Sequence, residues 1–252
     1  MSEASIRTDD GSIRPISGTI PRPALVLGAA GELGGAIVSA LLARGRPVIA
    51  VTPPGTPVPP PSPALQVVHG DTATETAAAA LANAVRLLRR PPDAVVAVIG
   101  AGFTPGRLVD EPAATLQRKL DEDLFPHLLA ARHLLPLLAE RGAPAHWVLF
   151  GGPSADAPWA GYGQLSVAQA ALRMLARVLR EEMLATGVRV QQFTVCAPLR
   201  TADKQHCAGA AWPSPDEVAL QVADLLAGAG TEPVVRYDRR RRALPAPNSV
   251  TR

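Results

Sequence analysis

The sequence predicts a doubly wound, parallel α/β sheet folded as one domain. Three observations carry this prediction. Short apolar runs of strand length alternate with longer stretches of helical period. A turn with glycines at three-residue spacing, Gly28, Gly31 and Gly34, lies between the first apolar run and the first helical stretch. A chain of 252 residues with 47% hydrophobic content can bury one sizeable core of this class.

In chain order, strands are expected at residues 24–27, 48–51, 65–68, 94–99, 145–150, 188–195 and 234–237, with helices at 33–43, 72–88, 112–139 and 164–184. Runs such as Val48-Ile49-Ala50-Val51 are apolar throughout rather than alternating, as strands covered on both faces are. Residues 53–63 are dense in proline, which cannot donate to a helix or sheet ladder, so a stiff loop is expected to replace the helix between the second and third strands. Residues 1–22 are polar, without amphipathic period, and read as a flexible leader. The domain is expected to span 23–238, followed by a solvated basic tail over 239–252 that opens with Arg239-Arg240-Arg241-Arg242.

The net charge of +3 is scattered apart from that tail, which argues against a nucleic-acid partner. Cys196 and Cys207 are too few for a disulfide framework, and no secretory leader opens the chain. No apolar run approaches the roughly 20 residues that span a bilayer. A cytoplasmic protein without membrane association or bound metal is expected.

The segment Leu25-Val26-Leu27-Gly28-Ala29-Ala30-Gly31-Glu32-Leu33-Gly34 fits a dinucleotide-binding turn of the Rossmann type. Gly28 permits the tight turn, Gly31 lets backbone approach a pyrophosphate, and Gly34 lets helix and strand pack closely, with phosphate over the helix N-terminus. Ala30, Glu32 and Leu33 complete the expected contact surface. The second strand ends in Val51-Thr52-Pro53-Pro54, without the carboxylate that favours a free ribose 2′-hydroxyl. NADP(H) is therefore expected ahead of NAD(H), with Thr52 donating a hydrogen bond to the 2′-phosphate and Arg44 or Arg46 nearby.

After the strand-like Trp147-Val148-Leu149-Phe150, the segment Gly161-Tyr162-Gly163-Gln164-Leu165-Ser166-Val167-Ala168-Gln169-Ala170-Ala171-Leu172 resembles the active-site helix of the short-chain dehydrogenase/reductase family. In that family a Tyr and a Lys at i and i+4 share a helix face, and the Lys makes the Tyr a usable acid or base. Here those positions hold Leu165 and Gln169; the family's Ser falls at Gly152 and its helix Asn at Asp123. The resemblance covers residues 23–238. It implies that Asp71 and Thr72 contact adenine, although Asp71 would serve equally as a helix N-cap. It implies that Gly100, Ala101 and Gly102 replace an Asn-Asn-Ala-Gly turn, and that Pro198 and Thr201 border the nicotinamide. It also places a substrate lid between Pro198 and Pro213, containing His206 and Trp212.

The substrate side is expected to comprise Phe103, Gly152, Pro153, Ser154, Trp159, Tyr162, Leu165, Gln169, His206 and Trp212. Leu165 cannot donate a proton, and Gln169 hydrogen-bonds without titrating. Tyr162 has no Lys at i+4 and reads as a pocket wall, while His206 is equally a solvated lid residue. Phe103, Trp159 and Trp212 would suit a flat polycyclic ligand, or simply pack their loops. No catalytic acid is assigned. If a phenol beside the reacting ketone supplies the proton, the protein need only hold substrate and hydride donor in place.

Composition and missing residues together resemble the atypical angucyclinone ketoreductases of antibiotic biosynthesis. The expected activity is NADPH-dependent reduction of an aromatic polyketide carbonyl. Rival expectations are an inactive partner subunit of the same fold and a non-redox cyclase or dehydratase. By the same resemblance, helices 112–139 and 164–184 would build a homo-oligomer, a dimer or a tetramer.

Overall fold

The computed structural model describes residues 5–7, 13–15, 21–56, 60–102, 104–142 and 144–239. Seven strands form one sheet: β1 (Ala24–Leu27), β2 (Val48–Thr52), β3 (Leu65–His69), β4 (Ala94–Ala97), β5 (Ala145–Gly151), β6 (Val188–Val195) and β7 (Val234–Tyr237). Their order is β3-β2-β1-β4-β5-β6-β7, and every neighbouring pair is parallel. The helices are α1 (Glu32–Ala43), α2 (Glu75–Arg86), α3 (Ala113–Asp123), α4 (Phe125–Ala139), α5 (Gly163–Met183) and α6 (Pro215–Ala227). This is the expected doubly wound arrangement in a single domain. Strand order reverses between β1 and β4, so a crevice opens at their carboxyl ends, where ligands of such sheets bind.

Apolar strand residues alternate between two cores. One face, with Leu25, Val95 and Trp147, packs under α2, α4 and α5. The other, with Val26, Val96 and Phe193, packs under α1 and α6. Trp147 and Phe193 are the largest fully buried side chains and anchor opposite faces.

Two elements differ from the sequence expectation. The helix foreseen over 112–139 is two helices, because Pro126 has no N–H to continue the ladder; α3 ends at Asp123, and Leu124 forms the joint before α4. Helix α6 was not anticipated, although its start is written in Ser214-Pro215-Asp216-Glu217. Ser214 Oγ accepts from Glu217 N–H at 3.2 Å, and Glu217 Oε2 accepts from Ser214 N–H at 2.8 Å, a complete capping box with Pro at the first helical position.

The proline-rich connection between β2 and β3 contains no helix among its described residues. Within the segment expected as a leader, Ser5–Arg7 pairs antiparallel with Ile13–Pro15. The remainder of residues 1–20 and of the basic tail beyond Arg239 lies outside the described residues. No helix among the described residues is long and apolar enough to cross a membrane.

The joint at Leu124 leaves a buried ion pair at the end of α3. Lys119 Nζ lies 2.8 Å from Asp123 Oδ2, one helical turn on, and both side chains are about 95% buried or more. The same ammonium donates to the carbonyls of Ala101 (2.8 Å) and Gly102 (3.2 Å), while Asp123 Oδ1 accepts from Ala101 N–H at 2.9 Å. The pair thus fixes the loop that follows β4. Nearby on α4, His127 is fully buried with Nε2 3.2 Å from the Ile99 carbonyl; that contact requires the proton on Nε2, since a carbonyl only accepts.

Two outcomes follow from these buried groups. Lys119→Met strands Asp123 in the interior and should cost about 3–5 kcal/mol in denaturant unfolding, whereas replacing both partners by apolar residues should cost much less. Burial pushes the His127 pKa down to about 4, and burial with the nearby Arg189 and Arg46 charges does the same for His146, to about 4. Between a normal histidine value of about 6.5 and about 4 the unfolded chain binds more protons, so stability falls as the pH is lowered across that window. The melting temperature should decline from pH 6.5 towards 4 and hold steady above pH 7, and His127→Gln should flatten the decline.

Candidate active site

The glycine turn brings backbone against backbone. Gly28 has φ 74°, and a Cβ there would lie 2.1 Å from the Val98 carbonyl oxygen; a Cβ on Gly34 would lie 2.1 Å from the Gly28 carbonyl oxygen. The ends of β1, α1 and β4 can therefore converge only because these positions carry no side chain. Helix α1 starts after Gly31, and no side chain accepts from its first-turn N–H groups. Those donors and the positive helix end suit a pyrophosphate.

From this turn a cleft of about 640 Å³ follows the carboxyl ends of β1, β4, β5 and β6. Gly28, Gly31, Glu32, Leu33 and Gly34 line one end, and Gly100 and Gly102 the flank. Gly152, Pro153, Ser154, Trp159, Tyr162, Leu165 and Gln169 form the far wall, with Pro198 and Thr201 opposite. A second hollow of about 380 Å³ shares Gly28, Val98, Ile99 and Gly100 and reaches Asp71, Thr72 and Ala101. Together they form a long slot, narrow at Gly28, with a compartment for each half of a dinucleotide. Ala30, in the turn, lines neither.

Asp71 is not a helix N-cap. Its Oδ1 accepts from Ala73 N–H at 2.9 Å, and Thr74 caps α2 by accepting from Ala77 N–H. Thr52 lies apart from the slot: it is fully buried, its hydroxyl is 3.3 Å from His69 Nδ1, and its neighbours Val51 and Pro53 do the lining. Arg44 pairs with Asp224 at 2.8 Å and Arg46 with Asp93 at 2.5 Å. Both arginines sit at the opposite, amino ends of the strands, where α1 ends and β2 begins, because a helix between parallel strands runs back across the sheet. The three side chains expected around a 2′-phosphate are thus turned elsewhere.

The two positions where Ser and Lys were expected are in contact. Gly152 N–H donates to Gln169 Oε1 at 2.6 Å. Gly152 has ordinary extended dihedrals, and a Cβ there would clear its neighbours by 3.6 Å or more, so space does not require glycine. Gly151 is different, since a Cβ would meet Gln192 Nε2 at 2.1 Å. The Gln192 side chain is fully buried under this loop, and neither amide atom has a protein partner among the described residues.

The loop after β5 is held by charge. Arg173 on α5 donates to Asp156 Oδ1 at 2.5 Å and to Thr194 Oγ1 at 3.2 Å, and Arg236 on β7 donates to Asp156 Oδ2 at 2.7 Å. Desolvation alone would raise the Asp156 carboxyl, but the two guanidiniums hold it below its usual range. Ser154 is buried in the short turn Pro153–Ala155. Trp159 and Tyr162 meet edge to face at 5.8 Å between centroids and form the outer wall.

His206 is exposed and Trp212 half-buried, and neither lines the cleft; Leu199, Thr201, Asp203 and Lys204 of the lid do. Phe103 lies outside the described residues. The lid's first turn is tethered to the glycine loop, since Ala202 N–H donates to both oxygens of Glu32 at 3.0 Å. Sequence reasoning missed Lys119, Arg173 and Asp156; only the i, i+4 spacing of Lys119 and Asp123 gave a signal. Among the described residues no cluster of His, Cys, Asp or Glu could hold a metal ion.

A family model described as enoyl-(acyl carrier protein) reductase matches residues 28–210. The 1-deoxy-11-beta-hydroxypentalenate dehydrogenase of Streptomyces exfoliatus is 34% identical over 83 residues; that alignment covers 33% of this chain and 30% of the relative. A short-chain dehydrogenase from Burkholderia cenocepacia in complex with NADP has a TM-score of 0.75 at 19% identity, covering 88% of this chain and 91% of that one. Serine dehydrogenase from Escherichia coli has a TM-score of 0.71 at 18% identity, covering 85% and 96%. The bulky-bulky ketone specific alcohol dehydrogenase from Comamonas testosteroni has a TM-score of 0.68 at 18% identity, covering 86% of each chain. With most of its length matched, from the glycine turn through the lid, this chain belongs to the short-chain dehydrogenase/reductase family and is an NAD(P)-dependent oxidoreductase.

Proposed function

We propose that this protein is an NADPH-dependent ketoreductase acting on a polycyclic aromatic ketone of the angucyclinone type, in the cytoplasm and in antibiotic biosynthesis. The observation that carries the proposal is a cleft whose nucleotide end is built while the positions Gly152, Leu165 and Gln169 at its other end carry no titrating side chain, and Tyr162 beside them has no lysine one helical turn on. The Gly28–Gly34 backbone cradle and the open first turn of α1 fit a pyrophosphate. Asp71 and Thr72 would hold the adenine half, and Pro198 and Thr201 the nicotinamide half. When bound, NADPH supplies hydride. The missing carboxylate after β2 and the NADP in the Burkholderia relative support the phosphorylated form.

The chain's own residues then orient and exclude water. Leu165 and Leu199 give the cleft an apolar floor and roof, and Trp159 and Tyr162 offer aromatic edges to a flat ligand. As hydride reaches the carbonyl carbon, the C=O π pair moves onto oxygen and takes the proton of a neighbouring substrate phenol, leaving a phenolate that solvent reprotonates. This needs positioning rather than a protein acid. The exposed row Val167, Met174 and Val178 along α5, with Phe125 and Leu128 on α4, supports a homo-oligomer built on these helices.

NADPH absorbance should fall when the protein meets a peri-hydroxylated polycyclic quinone, and should not when that hydroxyl is methylated. Equal consumption of both would assign the proton to Ser154, Tyr162 or another protein group. Leu165→Ala should lower kcat severalfold at most, and a loss of about a thousandfold would overturn the mechanism.

A further inference from the structure

The Gly152–Gln169 contact settles which way the amide of Gln169 faces. A backbone N–H can only donate, so the atom 2.6 Å from Gly152 N is the amide oxygen. The nitrogen then occupies the other branch of the same planar group. Gln169 lines the cleft, and no protein acceptor pairs its Nε2 among the described residues.

We propose that Gln169 is a locked, non-titrating hydrogen-bond donor of the reacting end, with Nε2 donating to the substrate's ketone oxygen in the occupied cleft. This rests on the reductase reading above and deepens it. Gly152 presents no side chain and Leu165 is apolar, so Gln169 is the side-chain donor of that trio. A free glutamine would gain only half of its contacts by donating, because it could equally turn its oxygen inward. The Gly152 N–H removes that choice and leaves the donor prepared, which reduces the ordering cost of binding. A lysine in this place could not accept from Gly152 N–H, so the donor and the backbone loop form one unit.

The test is Gln169→Glu, which keeps the shape and the acceptor for Gly152 N–H. As a carboxylate its second oxygen cannot donate; as a neutral acid it can. Dissociation constants for NADP+ alone, and for the aromatic ketone on the NADP+ complex, are measured at pH 8 in both proteins, with melting temperature as a check on folding. Neither needs turnover. The variant should bind the ketone at least tenfold more weakly than the parent, with NADP+ binding within about twofold.

A gap confined to the ketone is the result the proposal requires. Equal binding of the ketone by both proteins overturns it. So does an equal loss of NADP+ binding, or a lowered melting temperature, which marks a merely structural role. If the parent protein binds NADP+ but no aromatic ketone, the reductase reading fails and the role of Gln169 fails with it, a result distinct from equal binding.

Discussion

Closest approach of backbone to backbone at Gly28 is the constraint on which the rest of the site depends. The Val98 carbonyl occupies the space a side chain on Gly28 would need, and the Gly28 carbonyl that of one on Gly34, so β4 and α1 are drawn against the end of β1. That convergence lies where the strand order reverses, and it turns the first-turn N–H groups of α1 into the crevice. A methyl group at either position would push the helix away from the strand and close the narrow waist of the slot.

The far end of the cleft is held differently, by polar and ionic contacts. Lys119 and Asp123 tie the loop after β4 through three contacts, which together with their own ion pair satisfy both charges in the interior and offset their desolvation. Arg173 and Arg236 clasp the loop after β5 through Asp156. Gln169 fixes Gly152 between them. The backbone around Gly152, Leu165 and Gln169 therefore keeps its place. Such a site is suited to hold ligands in register rather than to shuttle protons.

The sheet was legible because fully buried parallel strands leave continuous apolar runs, and all seven were found close to their boundaries. Helix α6 was overlooked even though its capping box is a local signal, because its neighbours in sequence were read as lid. The break at Leu124 was signalled by Pro126, but Pro136 is carried inside α4, so proline alone did not say which position interrupts the ladder. In the site, the residues of the glycine turn were legible from spacing. Arg44 and Arg46 misled because they lie at the amino ends of the strands, away from the slot, and Thr52 because its side chain turns into the interior towards His69. Lys119 and Arg173 became visible only when distant elements met, and the pairing of Gly152 with Gln169 joins residues whose types alone suggest no contact.

The central claim, a reductase that positions its reactants without a protein acid, is tested most directly by following the label. NADPH carrying deuterium at the transferable position of nicotinamide C4 is incubated with protein and a peri-hydroxylated polycyclic ketone, and the product is examined by NMR. The account predicts deuterium on the new carbinol carbon in amounts equal to NADPH consumed. A product formed without label while NADPH stays intact would contradict it and mark a non-redox reaction in the same cleft.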